Sequence, residues 1–137
     1  MQVDHPRDHY EFTRLVRIET APMAKPRMTQ RDKWNKRPIV RRWNAYKDTV
    51  RLLSPPKFEL PMFNYWMIFT FAISARSNPS KIGTPHQSKP DKDNLEKGIL
   101  DIFLADDSMV FDGRVTKLWG DVDSIEIWRV RDGLGTG

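Results

Sequence analysis

Residues 63–75 read FNYWMIFTFAISA, and from Tyr65 to Ile73 only Thr70 interrupts the apolar run. A short continuous run of aromatic and aliphatic residues predicts a central strand buried on both faces. The chain is then polar through residue 90, after which Leu95, Ile99, Ile102 and Phe103 supply the apolar face of a helix over 93–104. Asp93 reads as its N-cap, with Glu96 three residues on completing a capping box. Met109 to Trp119 and Val122 to Arg131 read as a terminal pair of strands, with Gly120-Asp121 near the turn. Upstream, Phe12 to Glu19 reads as a first strand, with Phe12, Arg14, Val16 and Ile18 on one side of its alternation. Residues 20–38, with Pro22, Pro26 and Pro38, have no apolar period and read as a loop too long for a passive connector. Val40 to Leu53 reads as a helix presenting Trp43, Tyr46, Val50 and Leu53 on one face, and Ser54-Pro55-Pro56 stops it. The element order is β-α-β-α-β-β. That predicts one α+β domain over residues 1–137, with a mixed or antiparallel sheet, helices packed on it, and flexible ends at 1–10 and 132–137.

The chain has 137 residues, enough for one domain with a real core. It has no cysteine, which excludes disulfides, thiolate metal sites and a cysteine nucleophile. Three histidines (His5, His9 and His86) leave little material for a histidine-rich metal site or a Ser-His-Asp triad. No segment approaches the ~18 apolar residues of a membrane span. The first residues lack a basic region followed by an apolar stretch, so a cytoplasmic protein is expected.

The net charge of +5 hides two opposed segments. Residues 22–51 hold ten bases against two acids: Lys25, Arg27, Arg31, Lys33, Lys36, Arg37, Arg41, Arg42, Lys47 and Arg51 against Asp32 and Asp48. Residues 91–126 hold ten acids against four bases. A basic stretch of that density predicts a polyanionic partner. An acidic cluster needs a cation or a solvated face.

The densest chemistry lies in Lys89-Pro90-Asp91-Lys92-Asp93-Asn94-Leu95-Glu96-Lys97. Pro90 favours an extended Lys89 and a stiff approach to the helix. Asp91 and Asp93, two apart in an extended approach, can turn their carboxylates to one side. Lys97 stands four residues after Asp93 and four before Asp101, so the three form a helical stripe. A helix folded back onto the next strand could return Asp107, preceded by Asp106, beside Asp91 and Asp93. Three carboxylates suit a hard cation such as Mg²⁺, with Mn²⁺ as an alternative. Such an ion, with a lysine beside it and a basic segment to hold phosphates, reads as metal-dependent hydrolysis of nucleic-acid phosphodiesters.

Each part has a plainer reading. Asp-x-Asp-Asn at a helix start is often a cap and a solvated acid, and Asp106-Asp107 often a turn. A calcium loop fails, since its sixth position is Glu96 and its twelfth Ile102. Lys97 with Asp101 could be a surface pair worth about 0.3–0.5 kcal/mol. Trp34 could stack on bases, Trp43 reads as core, and His86 carries no assignment.

The whole pattern, from Lys89 through Asp91, Asp93, Asn94 and Lys97 to Asp101, Asp106-Asp107-Ser108-Met109-Val110 and Lys117, resembles the RusA family of Holliday junction resolvases. Ala24-Lys25-Pro26-Arg27-Met28-Thr29 resembles a basic element of its phage-type members. The resemblance implies a homodimeric, Mg²⁺-dependent endodeoxyribonuclease that cuts four-way DNA junctions in recombination and repair, in the cytoplasm of a bacterial host. It implies catalytic and metal roles for Asp91, Asp93 and Asp107 and a catalytic role for Lys97. Asn94, Asp101 and Asp106 would support them. Lys25, Arg27, Arg31, Lys33, Lys36, Arg37, Arg41, Arg42, Lys89 and Lys117 would contact DNA. Exposed members of Phe63, Tyr65 and Met67, or the terminal strands, are candidates for the dimer interface. The alternatives are a non-catalytic basic nucleic-acid-binding protein of phage origin and a phage assembly protein.

Overall fold

A computed structural model describes residues 10–27, 29–34, 37–61, 63–104 and 112–132. Four strands form one mixed sheet: β1 (Tyr10–Ile18), β2 (Phe63–Ala72), β3 (Asp112–Gly120) and β4 (Ser124–Asp132). Between β1 and β2 come a single helical turn, α1 (Gln30–Trp34), and the long helix α2 (Pro38–Leu53). Between β2 and β3 lies α3 (Lys92–Phe103). The predicted α+β order β-α-β-α-β-β is the one observed, with α1 added inside the segment read as loop. Pro38, also assigned there to the loop, is instead in the first turn of α2, where its missing N–H costs nothing.

The strand order is β1-β4-β2-β3. β4 runs antiparallel to both neighbours, and β2 pairs with β3 in parallel. The last two strands are therefore consecutive in sequence and not paired with each other. Residues 121–123 carry the chain past the end of β2, where the Asp123 carboxylate accepts the Ala72 N–H at 2.8 Å.

Both long helices pack on one face of the sheet. Trp43, Tyr46 and Val50 of α2 and Leu95, Ile99 and Ile102 of α3 meet Val16, Ile18, Tyr65, Met67, Phe69, Ile125 and Ile127. Each fully buried aliphatic or aromatic side chain there contributes roughly 1.5–3 kcal/mol. Leu53, predicted for the same face of α2, is 47% exposed because the helix ends there beyond the sheet-facing turns. β1 departs from its predicted alternation as well. A register shift between Arg14 and Val16 leaves Phe12 and Arg14 opposite Val130 and Trp128, but Val16 opposite Ile127. One extra residue reverses the parity of a strand, so Val16 and Ile18 enter the core while Phe12 and Arg14 face away from the helices. On that outer face Phe12 packs edge-on against Trp66 at 5.6 Å, and the Arg114 guanidinium lies 4.6 Å from the Trp66 ring. β2 is interior in the sheet but half-covered on this side, with Trp66 and Thr70 partly exposed. Tyr65 and Met67, candidates for an interface, are buried in the core.

Tyr65 explains the glycine beside it. Its ring lies over Gly113, where a Cβ would fall 2.2 Å from a ring carbon. The ring cannot swing aside freely, because it is buried and its hydroxyl donates to Glu96 of α3. Gly113→Ala should lower the urea unfolding free energy by about 1–3 kcal/mol, as overpacking does. An unchanged midpoint would show that the ring relocates without cost.

Candidate active site

α3 begins where the chain leaves Pro90, after a cis Lys89-Pro90 peptide. Asp91, not Asp93, is the N-cap residue, with extended dihedrals of −69° and 148°. Its carbonyl accepts the Leu95 N–H at 3.1 Å, yet its carboxylate makes no capping hydrogen bond. Asp93 lies inside the first turn rather than in an extended approach. The predicted capping box is absent, since Glu96 accepts from the Tyr65 hydroxyl instead. Burial and that carboxylate together push the Tyr65 hydroxyl's pKa upward.

Asp91, Asp93, Asn94, Lys97 and Asp101 are all exposed, while Leu95, Ile99 and Ile102 are buried on the opposite side of the same helix. The structure thus places Asp93, Lys97 and Asp101 along one solvent-facing stripe, as the spacing predicts. The carboxylates of Asp91 and Asp93 have no partner among the described residues, nor has the Lys97 ammonium. Asp106 and Asp107 lie outside the described residues, and among those described no group of three His, Cys, Asp or Glu side chains forms a metal cluster. The donor chemistry of Asp91 and Asp93 still fits a hard cation. Two all-oxygen ligands unspent on capping or ion pairs are what Mg²⁺ takes from a protein when it keeps several waters.

The basic segment reaches this helix directly. The Lys25 ammonium pairs with Asp101 at 3.1 Å, and the Lys25 N–H donates to the Asn94 carbonyl at 3.3 Å. Gly98 makes the approach possible: a Cβ there would meet the Trp43 ring at 3.1 Å and the Met23 carbonyl at 3.4 Å. Arg27, Arg31, Arg37, Arg41, Arg42 and Lys89 are exposed, as is Trp34 at 81% on α1. The Lys33 side chain and Lys36 lie outside the described residues. Trp43 is core, as predicted.

The segment between β2 and α3, read as a free polar loop, is docked. A 3₁₀ turn at Pro79–Lys81 is capped by Asn78. Gly83 comes next, with a φ of 85°, a conformation that favours glycine. Gly83, Thr84 and His86 then make backbone hydrogen bonds to Trp119 and Lys117 along the free edge of β3. His86 is buried between Phe71 (4.1 Å) and Trp119 (4.3 Å), with the Lys81 ammonium 4.0 Å from the Trp119 ring. No local pattern separates this histidine from a solvated one; only the edge pairing buries it. The Lys117 ammonium donates to the carbonyls of Ser88 (2.6 Å) and Pro90 (2.8 Å).

A family model for the endodeoxyribonuclease RusA matches residues 19–128. The match spans most of the sheet, both long helices and the Asp91–Lys97 helix start, and it makes this protein an endodeoxyribonuclease. More closely, the chain belongs to the RusA family, whose members are Holliday junction-resolving endonucleases acting on branched DNA. No curated protein matches it. Among the described residues no helix is long and apolar enough to cross a membrane.

Burial, with Lys117 and Lys81 nearby, holds the His86 pKa below its usual 6.5. The folded state therefore binds fewer protons than the unfolded one, so stability is full above about pH 6.5 and falls as pH drops through that value. His86→Phe keeps the aromatic stack and removes the titration. Its urea midpoint should fall less than the wild type's between about pH 7.5 and 5.5. Parallel decreases would assign the acid sensitivity elsewhere.

Proposed function

We propose that this protein resolves four-way DNA junctions by Mg²⁺-dependent phosphodiester hydrolysis during recombination and repair. The carrying observation is the start of α3, where two exposed carboxylates and a lysine project without partners among the described residues from a helix that core packing holds rigid. Asp91 and Asp93, with Asp107 beyond the described residues, would hold the ion. A divalent ion so held polarises a phosphoryl oxygen and lowers the pKa of a bound water. Lys97, one turn from Asp93, would stabilise charge developing on the scissile phosphate. Asn94, Asp101 and Asp106 would support the acids, Asp101 by holding Lys25 and through it the basic segment.

Lys25, Arg27, Arg31, Lys33, Lys36, Arg37, Arg41, Arg42 and Lys89 would track the phosphate backbone, and Trp34 would stack on an unpaired base at the branch point. A homodimer suits two opposed scissile phosphates. With Tyr65 and Met67 buried, the outer sheet face at Phe12, Trp66 and Trp128 is the apolar surface it would use. A phage or prophage origin and a cytoplasmic site of action accord with this reading.

Asp91→Asn, Asp93→Asn and Asp107→Asn should each abolish Mg²⁺-dependent cleavage of a synthetic mobile junction and leave junction binding in Ca²⁺ largely intact. Full cleavage by any one of them would remove that residue from the metal site. Binding by the wild type in both metals without nicking in Mg²⁺ would favour the non-catalytic alternative.

Lys97→Ala should slow cleavage at saturating junction by more than it weakens binding. A change in affinity alone would make Lys97 a phosphate contact.

A further inference from the structure

Lys117 sits midway along β3, level with Phe69 of β2. It holds the chain ahead of α3 at two points. Its backbone carbonyl accepts the His86 N–H at 3.0 Å, and its ammonium donates to the carbonyls of Ser88 and Pro90 at 2.6 and 2.8 Å. The Pro90 carbonyl belongs to the peptide unit joined to Asp91, and Asp91 begins the hydrogen bonding of α3. Among the described residues, no backbone–backbone hydrogen bond ties residues 87–90 to the rest of the fold. Upstream, Gly83 and Thr84 pair with Trp119, and His86 is clasped by Phe71 and Trp119. The segment is therefore anchored to β3 as far as His86, and from there to the helix the Lys117 ammonium adds two hydrogen bonds, at Ser88 and Pro90.

We infer that Lys117 is a positioning residue for Asp91 rather than a DNA phosphate contact. The consequence for cleavage rests on the function proposed above; the positioning itself does not. An ammonium with two of its three donors on carbonyls has a charge-assisted role inside the protein and little left for a phosphate. Without it the Ser88 and Pro90 carbonyls lose their partner, and the N-cap residue is free to shift. A displacement of about 1 Å at a reacting group costs on the order of 100-fold in rate.

Lys117→Met keeps the aliphatic stem and removes the ammonium. With neither DNA nor metal present, amide hydrogen exchange should accelerate at Leu95, whose N–H donates to the Asp91 carbonyl, and remain as in the wild type through β2 and β4. Unchanged exchange at Leu95 would overturn the inference. Binding to a four-way junction in Ca²⁺ across a salt series should keep the wild-type affinity and slope. A slope smaller by about one would identify a lost phosphate contact and overturn it equally. Cleavage at saturating junction should fall at least tenfold and need more Mg²⁺ for half-maximal rate, and a wild-type rate would refute the positioning of Asp91. Lys117→Arg, which retains charge but presents a planar fork, should lie between the two in exchange and rate. The same readings on Lys117→Arg decide the matter should Lys117→Met exchange rapidly throughout. If the wild type cuts no junction at all, the proposed function fails, while exchange and salt slope still judge Lys117.

Discussion

Two parallel strands cannot be joined by a tight turn, and the parallel pairing of β2 with β3 sets most of this molecule. The chain leaving Ala72 must travel back along the sheet before β3 can begin, and it does so through a docked segment and a helix. The Asp91–Lys97 motif and the buried His86 both lie on that return path. Its first part covers the edge of β3 at residues 117–119, a surface that otherwise invites pairing with another chain. Its second part is α3, which buries Leu95, Ile99 and Ile102 against the sheet and leaves Asp93, Lys97 and Asp101 in solvent. The crossover thus covers part of an edge, completes the core and presents the charged stripe.

The +5 net charge is a cancellation, and the fold makes the two poles meet. Segment 23–25 lies across α3 at Gly98, with Lys25 bound at both its backbone and its ammonium. An exposed pair such as Lys25–Asp101 contributes at most about 1 kcal/mol, so it does not hold the fold together. Its effect is one of placement. It fixes the start of a strongly basic stretch beside the acidic helix start, so that a polyanion attracted by the first would arrive at the second.

Elements whose evidence is local were legible in the sequence. The apolar run of β2 and the Trp43-Tyr46-Val50 face of α2 are set by side chains a few residues apart, and both are observed. The charged stripe of α3 comes from the same 3.6-residue period. What escaped depends on partners distant in sequence. The bulge in β1 arises from its register with β4, more than a hundred residues later, and no alternation within 12–19 announces it. The separation of β3 from β4 is decided by β2 lying between them. His86 and Lys117 look like polar surface residues until the edge of β3 captures the segment that holds one and contacts the other. The reading of Asp93 as an N-cap failed for a subtler reason. Asp91 and Asp93 both have the side chain for the position, and the helix begins at the first of them, directly after Pro90.

That failure bears on function. An aspartate at an N-cap ordinarily spends its carboxylate on the first free N–H groups of the helix, for about 1 kcal/mol. Asp91 occupies the position without doing so. Asp93, one turn from Lys97, also lacks an ion-pair partner among the described residues. Stability would be served by using these groups locally, and leaving them unused at the end of a rigidly packed helix is what a binding site requires. The two sides of α3 therefore divide the labour. Its buried side pins the axis through Leu95, Gly98 and Ile99. Its exposed side can then change in charge with little effect on folding, and in the function proposed above it is the side that would meet the ion and the phosphate.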